Sequence, residues 1–254
     1  MKTLNDSLKE SFEMLMDNIS CKEPQGIATG YTNFDNMVRG LKKGSVTILT
    51  SAPSLGKTAF ALNIVNNLTG STQKPGILFC SDLSNTELTF RLLFIASGVK
   101  NSFNGEYPGE DIQRMTAAVE KLKNYPLCFE EVFGIDDAAS EHIRTIHGEQ
   151  NFDLLIADNV SPGDCRKLKA LARERNVAVL ALVSTHSGKD EILCRGIADT
   201  WITLHRERKV DYDPETGAPV EWIVSKNKHG LCGTCRMYFQ PEIMRFQEGC
   251  EKIQ

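Results

Sequence analysis

The sequence predicts an α/β fold: a mainly parallel central sheet flanked by helices, with antiparallel strands at its C-terminal edge. Five continuous apolar runs alternate with segments of helical periodicity, which is typical of parallel strands buried on both faces. After Ala198 the pattern changes to shorter runs separated by turn residues, which predicts antiparallel strands. The chain has 254 residues, of which 41% are hydrophobic, so it is long enough to bury one sizeable core.

The alternating part of the chain divides into successive strands and helices. The predicted strands are 45–51, 76–82, 127–132, 152–158 and 177–184, and the predicted helices are 57–67, 84–97, 110–124, 136–149 and 164–175. Ser84 and Glu87 have the spacing of a capping box, which marks the start of the second helix. The later antiparallel strands are predicted within 200–208, 221–227 and 233–248.

Residues 1–20 are predicted to form a separate amphipathic helix. Its apolar positions recur at helical spacing on one side: Leu4, Leu8, Phe12, Leu15 and Ile19. Residues 21–25 form a linker, because Pro24 interrupts the helical pattern, and residues 26–254 form one domain. The helix either folds back on its own domain or docks on a neighbouring subunit.

Composition and charge exclude several classes of protein. The net charge of −4 provides no general basic surface, so a contact with DNA would need a local patch or a channel formed on assembly. No apolar run approaches the ~18 residues of a membrane span, and the first ten residues lack the apolar core of a secretory signal. The eight cysteines are too sparse for a disulfide scaffold. We therefore expect a cytoplasmic protein that does not contact a membrane.

The segment LTSAPSLGKTAFAL, residues 49–62, joins the first predicted strand to the first predicted helix. Its Gly-Lys-Thr occupies the last three positions of the phosphate-binding pattern G-x-x-x-x-G-K-[ST], and Ser51 replaces the first glycine. In that pattern backbone N–H groups surround phosphate oxygens, the lysine reaches the β and γ phosphates, and the hydroxyl binds Mg²⁺. The predicted nucleotide-binding residues are Ser51, Pro53, Ser54, Leu55, Gly56, Lys57, Thr58 and Ala59. The alternative is an ordinary helix start, and the strand before it favours nucleotide binding.

Two aspartates end predicted strands. Asp158 follows a buried apolar run, where a P-loop enzyme places the carboxylate that binds Mg²⁺ directly or through water. Asp82 ends the second strand, which we expect beside the first strand, and there it could act as a general base for attacking water. The alternative for each is a carboxylate that caps the following turn.

The stretch GIATGYTNFDNMVRGLKKGSVTILTSAPSLGKTAFALNIV resembles the ATPase domain of DnaB-type replicative DNA helicases, which have the RecA-like fold. The resemblance continues through LFCSDLSNTELTFRLL, CRKLKALARERNVAVLALVS, GIADTWITLHRE and IVSKNKHGLCGTCRMYF, and so covers nearly all of residues 26–248. It implies ATP and Mg²⁺ as ligands and hydrolysis at subunit interfaces that drives movement along single-stranded DNA through a ring. The family's separate N-terminal domain is expected to be absent, and the N-terminal helix resembles the family's linker helix, which docks on the adjacent subunit.

The resemblance assigns roles to individual residues. Lys57 and Thr58 match the phosphate and Mg²⁺ ligands, and Asp158 matches the Walker B carboxylate. The departures are Asp82 for the catalytic glutamate, Ser184 for the sensor glutamine, Ser161 for the glutamine near Asp158, and Lys226 with Lys228 for the Lys-x-Arg finger. Each departure shortens a side chain or removes a bidentate group, so we expect nucleotide affinity to persist even where turnover is slow.

Three hypotheses about function follow. The first is a ring-forming DnaB-type ATPase and helicase with single-stranded DNA as its track. The second is a degenerate relative that binds nucleotide without unwinding and joins a replication complex, with a replicative helicase or its loader as partner. The third is a recombinase-like or clock-like RecA-fold ATPase, which explains the later motifs less well.

Four further features are weaker. The segments after the fourth and fifth strands, 159–169 and 185–196, are expected to be shorter than the family's channel loops. The basic residues of the helix at 164–175 are expected on a solvated face. His186 follows the fifth strand and is interpreted as structural, with a polar sensor as the alternative. His229, Cys232 and Cys235 have metal-like spacing, but no fourth ligand is evident, so we interpret them as ordinary turn and strand residues.

Overall fold

The computed structural model describes residues 3–6, 8–9, 12, 26–71, 75–101, 105–185, 187–206 and 217–249. The described strands form one nine-stranded sheet with the order β3-β2-β4-β5-β1-β6-β7-β8-β9. Its strands are β1 Val46–Ser51, β2 Ile77–Ser81, β3 Leu127–Glu131, β4 Leu154–Val160, β5 Ala178–Ser184, β6 Thr200–His205, β7 Ala218–Asn227, β8 Gly233–Gln240 and β9 Arg245–Glu248. The pairs among β1 to β6 are parallel and those from β6 to β9 antiparallel, which confirms the predicted fold class.

Helices cover both faces of this sheet. They are α1 Thr32–Val38, α2 Lys57–Thr69, α3 Asn85–Ser97, α4 Gly109–Leu122, α5 Asp137–Gln150, α6 Cys165–Arg175 and α7 Gly188–Ile197. Strands β1 and β2 are buried along their whole length, as their continuous apolar sequences predict. Ser84 caps α3 by accepting a hydrogen bond from the backbone N–H of Glu87 at 3.2 Å, so the predicted start of that helix is confirmed.

The core divides into two clusters, one on each side of the sheet. One cluster contains Phe34, Phe60 and Trp222 from α1, α2 and β7, and the rings of Phe60 and Trp222 lie 3.7 Å apart between centroids. The other contains Leu168 and Ile143 from α6 and α5. The inner parallel strands β1, β2 and β5 are buried on both faces, so there polar groups can reach solvent only at the strand ends, and the predicted nucleotide-binding residues lie at those ends.

Three expectations about local structure are wrong. Strand β2 does not lie beside β1, because β4 and β5 separate them. Strand β4 continues two residues beyond Asp158, with an irregularity in its pairing between Ala157 and Val160. Most of 185–196 is not a loop but helix α7, which Ser187 caps by accepting from the N–H of Asp190 at 3.3 Å. The short helix α1 is an addition to the predicted elements.

Of the predicted helix at residues 1–20, the structure describes residues 3–6, 8–9 and 12, so the helix as a whole stays a prediction. Leu4, Leu8 and Phe12 have helical backbone and exposed side chains. Leu15, Ile19 and the predicted linker 21–25 lie outside the described residues. Within the part of the chain that the structure describes, no helix is both long and apolar enough to cross a membrane.

Candidate nucleotide-binding site

The turn from β1 into α2 has the backbone shape of a phosphate-binding loop. Strand β1 ends at Ser51 and α2 begins at Lys57, and in the loop between them Ser54 and Gly56 have φ values of 63° and 99°. The φ of Gly56 favours glycine, and a Cβ there would lie 3.2 Å from the ring of Phe246, so that ring would have to shift slightly for any larger residue. Ser51 is not among the positive-φ residues, so a serine fits where the motif has its first glycine.

The Lys57 ammonium lies over this loop. Its Nζ is 3.0 Å from Ser51 Oγ and 3.4 Å from the carbonyl oxygens of both Ser51 and Ala52. The residue is only 7% exposed, and burial lowers the pKa of its ammonium, an effect that the charge of Asp158 opposes. A buried ammonium held by neutral oxygens is suited to an anionic ligand, because an anion would stabilise the charge that burial disfavours.

Thr58 and Asp158 meet at the mouth of the same loop. Thr58 Oγ1 donates to Asp158 Oδ2 at 2.6 Å, and the aspartate is 6% exposed. Burial raises the pKa of Asp158, and the nearby charge of Asp82 adds to this, while hydrogen bonds from the Thr58 hydroxyl and the Asn159 N–H oppose it. A buried carboxylate beside a hydroxyl fits Mg²⁺, which takes oxygen ligands and commonly uses one or two carboxylates together with substrate phosphates.

These groups line a cavity of ≈ 430 Å³, within the size range of small-molecule sites. The loop contributes Pro53, Ser54, Gly56, Lys57, Thr58 and Ala59. The ends of β2, β4 and β5 contribute Asp82, Asp158 and Ser184. Ser51 lies beneath the loop as a partner of Lys57, and Leu55 packs against the hydrophobic core.

Asp82 reaches the cavity although its strand is not next to β1. Strand β2 pairs with β4 in parallel, so Asp82, which directly follows β2, and Asp158, which lies near the carboxyl end of β4, are at the same end of neighbouring strands. Asn159 Nδ2 donates to Asp82 Oδ2 at 2.7 Å. The two predicted carboxylates therefore face one cavity, and Asn159, which follows Asp158 on β4, contacts both of them.

Lys226 and Lys228 lie elsewhere. Asn227 pairs with Thr200 at the start of β6, which is the end of the sheet opposite the phosphate-binding loop. The six residues of β1 place roughly 20 Å between the two ends. Lys228 Nζ contacts Asp199 Oδ1 at 2.7 Å, and Lys226 Nζ donates to the carbonyl oxygen of Arg195 at 2.6 Å. The structure thus does not bring this pair to the cavity of its own chain.

The structure shows where the histidine, cysteine and basic residues noted in the sequence lie. His229 Nε2 is 3.2 Å from Ser45 Oγ, and Cys235 is buried in the core. Among the described residues no three His, Cys, Asp or Glu side chains are grouped to hold a metal ion, so the geometry lends zinc no support. In α6, Lys167, Lys169 and Arg175 pair with Asp137, Asp199 and Glu174 of the same chain. His186 lies outside the described residues.

Five lining residues were missed from the sequence: Leu83, Arg91, Asn159, Phe239 and Met244. Asn159 had a local signal, because it directly follows a strand-end aspartate. Phe239 and Met244 had none, since they reach the cavity from β8 and the turn before β9, about 180 residues after the loop. Their apolar side chains form a wall beside the phosphate-binding loop.

The sequence matches a known family of proteins. The family described as the DnaB-like helicase C terminal domain matches residues 26–162. Replicative DNA helicase DnaB of Geobacillus stearothermophilus is 28% identical, over 96% of this chain and 62% of that protein. Replicative DNA helicase DnaC of Bacillus subtilis is 27% identical, over 87% of this chain and 56% of that protein. The chain therefore spans about three fifths of the length of these relatives.

Solved structures show the same fold. The ATPase domain of G40P superposes with a TM-score of 0.83 at 21% identity, covering 98% of this chain and 99% of that one. A DnaB-like replicative helicase, solved to describe its interactions with primase, gives a TM-score of 0.80 at 20% identity, covering 96% of this chain and 68% of that one. The sheet is thus that of RecA-like ATPase domains. With the family match over more than half of its length, the chain belongs to the DnaB-like helicase C-terminal domain family.

Proposed function

We propose that this protein binds ATP with Mg²⁺ in the cavity at the end of β1, hydrolyses it, and uses the reaction to move on single-stranded DNA as part of an oligomer. The observation that carries the proposal is the convergence of Lys57, Thr58 and Asp158 on one cavity at a strand-to-helix turn. We also propose a cytoplasmic location, which is compatible with this function.

The loop residues bind and orient the triphosphate. Backbone N–H groups of residues 54–58 and the N-terminus of α2 supply partial positive charge for the phosphate oxygens. Lys57 would exchange its contacts with Ser51 and Ala52 for oxygens of the β and γ phosphates. Thr58 and Asp158 would hold Mg²⁺, which when bound neutralises charge that develops on the phosphates.

Asp82 acts as the general base in the proposed reaction. A water oxygen forms a bond to the γ phosphorus while the bond from that phosphorus to the β–γ bridging oxygen breaks, and ADP leaves. The proton of the attacking water passes to the carboxylate of Asp82. Ser184, at the end of β5, supplies a polar group on the side of the cavity nearest β1.

The position of Lys226 and Lys228 supports action on a second copy of the chain. They lie too far from their own loop to reach its phosphates, so a finger role is available only in trans. Around Asp199 stand Lys169, Lys228 and the neighbouring Lys226, and burial together with the charges of Lys228 and Lys169 lowers the pKa of Lys226. This excess of positive charge is complementary to the anionic phosphates of a nucleotide bound by an adjacent subunit.

The predicted N-terminal helix belongs to the same proposal. Leu4, Leu8 and Phe12 are exposed in the described part of the chain, and we propose that residues 1–20 dock on the next subunit of a ring. Removing residues 1–20 should then reduce the molar mass measured by light scattering from that of an oligomer. An unchanged mass would confine the helix to its own subunit.

A nucleotide-binding module without turnover is the second candidate, and two observations favour it. Asp82 is one methylene shorter than the glutamate of the family it resembles, and a displacement of ~1 Å can reduce a rate by roughly 10²-fold. Lys228 is engaged by Asp199 and lacks the bidentate geometry of arginine. In that case the partner would be a replicative helicase or its loader.

Steady-state ATP hydrolysis, measured with and without single-stranded DNA, separates the two candidates. The proposal predicts turnover that DNA stimulates and that Lys57→Ala abolishes. Tight ATP binding with no turnover above the Lys57→Ala background would replace the proposal by the binding module. Asp82→Glu and Lys228→Arg should each raise the rate, and an unchanged rate would contradict the roles given to these two positions.

A further inference from the structure

Asn159 contacts both carboxylates of the candidate site. Its side-chain Nδ2 donates to Asp82 Oδ2 at 2.7 Å, and its backbone N–H donates to Asp158 Oδ1 at 2.9 Å. The residue itself is exposed at the mouth of the cavity that both aspartates line. No other residue described here donates to Asp82 and to Asp158 together.

The backbone of Asn159 is shaped for these two contacts. Its φ of 53° lies in the left-handed region, where the pairing between β4 and β5 is interrupted between Ala157 and Val160. Asparagine adopts this conformation more readily than other side chains that carry a donor of this length. A residue in regular β conformation would point away from its predecessor, whereas here the side chain and the N–H serve the same cavity.

The negative charges of Asp82 and Asp158 explain why the contacts of Asn159 matter. Asp82 directly follows β2 and Asp158 lies near the end of the neighbouring strand β4, so two carboxylates line one cavity and their negative charges repel each other. The hydrogen bond from Asn159 engages Oδ2 of Asp82 and restrains the carboxylate, while Oδ1 is not used by this contact and can accept a proton.

We propose that Asn159 is a positioning residue that holds Asp82 in line with the attacking water. The inference rests on the proposed ATPase function and names a residue that acts on the reaction only through Asp82. It predicts that loss of the Asn159 amide lowers kcat by roughly 10- to 100-fold, the cost of a base displaced by ~1 Å, while nucleotide affinity stays within twofold.

Two variants of the full chain separate positioning from backbone shape. Asn159→Gly keeps the left-handed conformation and removes the amide, and Asn159→Asp keeps size and backbone preference but replaces the donor by a negative charge. Both should lose kcat at unchanged affinity for a fluorescent ATP analogue. Asn176→Gly is the matched control, since Asn176 has a φ of 52° and is exposed at the end of α6, and it should keep wild-type kcat.

A double-mutant cycle with Asp82→Asn tests whether the effect passes through Asp82. Adding Asn159→Gly to Asp82→Asn should lower kcat less than twofold further, because the base is already lost. Wild-type kcat in both Asn159 variants, or losses that multiply in the double variant, would overturn the inference. If wild-type turnover exceeds the Lys57→Ala background and the Asn159 variants match wild type, only this inference fails; if wild type does not exceed that background, the proposed function fails with it.

Discussion

Asp199 is a buried carboxylate at the end of the sheet opposite the phosphate-binding loop, close to Lys228. Its replacement tests the electrostatics of that end. It is 4% exposed; Oδ1 accepts from Lys169 at 3.0 Å and Lys228 at 2.7 Å, and Oδ2 accepts from the backbone N–H of Val46 at 3.1 Å. Burial alone would raise the pKa of Asp199, but these hydrogen bonds and the Lys169 charge outweigh it and lower the pKa from 3.8 to about 2.

The lowered pKa converts to stability. A drop of about two pKa units corresponds to ~2 to 3 kcal/mol of folding free energy at neutral pH. Because the folded-state pKa lies below the unfolded one, this contribution is present above about pH 4 and disappears as the pH falls through about 4 towards 2. Asp199→Asn should therefore lower the free energy of unfolding by about 2 kcal/mol at pH 7, or roughly 4–8 °C in Tm.

Urea unfolding of wild type and Asp199→Asn between pH 7 and pH 3 measures this difference. The gap between the two proteins should shrink as the pH is lowered. Asp137→Asn is the matched control, since the Asp137 side chain is 98% exposed and its ion pair with Lys167 is worth at most ~1 kcal/mol. A gap below ~0.5 kcal/mol at pH 7, or one that stays constant to pH 3, would refute the reasoning.

Three other substitutions test two residues of the phosphate-binding loop and the cap of helix α3. Gly56→Ala places a Cβ at a φ of 99° and 3.2 Å from the ring of Phe246, so thermal unfolding should show a loss of at least ~1–2 kcal/mol; an unchanged Tm would contradict the loop conformation. Thr58→Ala removes the hydroxyl that contacts Asp158, so ATP binding should lose its dependence on Mg²⁺, and a titration with undiminished dependence would refute this role. Ser84→Ala removes the cap of α3 and should cost ~1 kcal/mol in urea unfolding, whereas a loss below ~0.3 kcal/mol would mean that water replaces the cap.

The inner parallel strands β1, β2 and β5 were predictable because each is buried on both faces. A fully covered strand needs apolar residues at every position, and this pattern is visible in the local sequence, so the bounds predicted for β1, β2 and β5 lie within one residue of those observed. The bounds predicted for β3 are equally close, but the expectation that it is buried on both faces is wrong, because it is a half-buried strand at the edge of the sheet. The start of α2 at Lys57 was predictable for the same reason, since the glycine before it and the lysine and threonine that follow are adjacent in sequence.

Strand order was not predictable in the same way. Nothing in the sequence of β2 states whether β1 or β4 will be its neighbour, because both alternatives bury an equally apolar strand. Asp82 was expected in the site for a reason that proved wrong, adjacency to β1, and reaches the cavity through adjacency to β4. Helix α7 was missed because only Cys194 and Ile197 in it are buried, which leaves a weak periodic pattern.

The residues of the site also divide into those that the local sequence predicts and those that depend on tertiary structure. Lys57, Thr58 and Asp158 belong to short motifs, and their meeting at one end of the sheet follows from parallel strands. The role of Asn159 depends on a left-handed residue at an interrupted strand pairing, and the apolar wall of Phe239 and Met244 depends on how the C-terminal antiparallel strands fold back. The left-handed backbone of Asn159 and the apolar wall arise from tertiary structure, and the only local signal was the position of Asn159 directly after Asp158.

Binding of ATP in the presence of Mg²⁺ tests the central claim most directly. Calorimetric titration at two temperatures should show saturable binding to wild type and to the control Lys167→Met, and at least 10-fold weaker binding to Lys57→Met, because a charge-assisted hydrogen bond contributes ~1.5–3 kcal/mol. Equal affinity of wild type and Lys57→Met, or no heat of binding to wild type at either temperature, would contradict the assignment of this cavity as a nucleotide site.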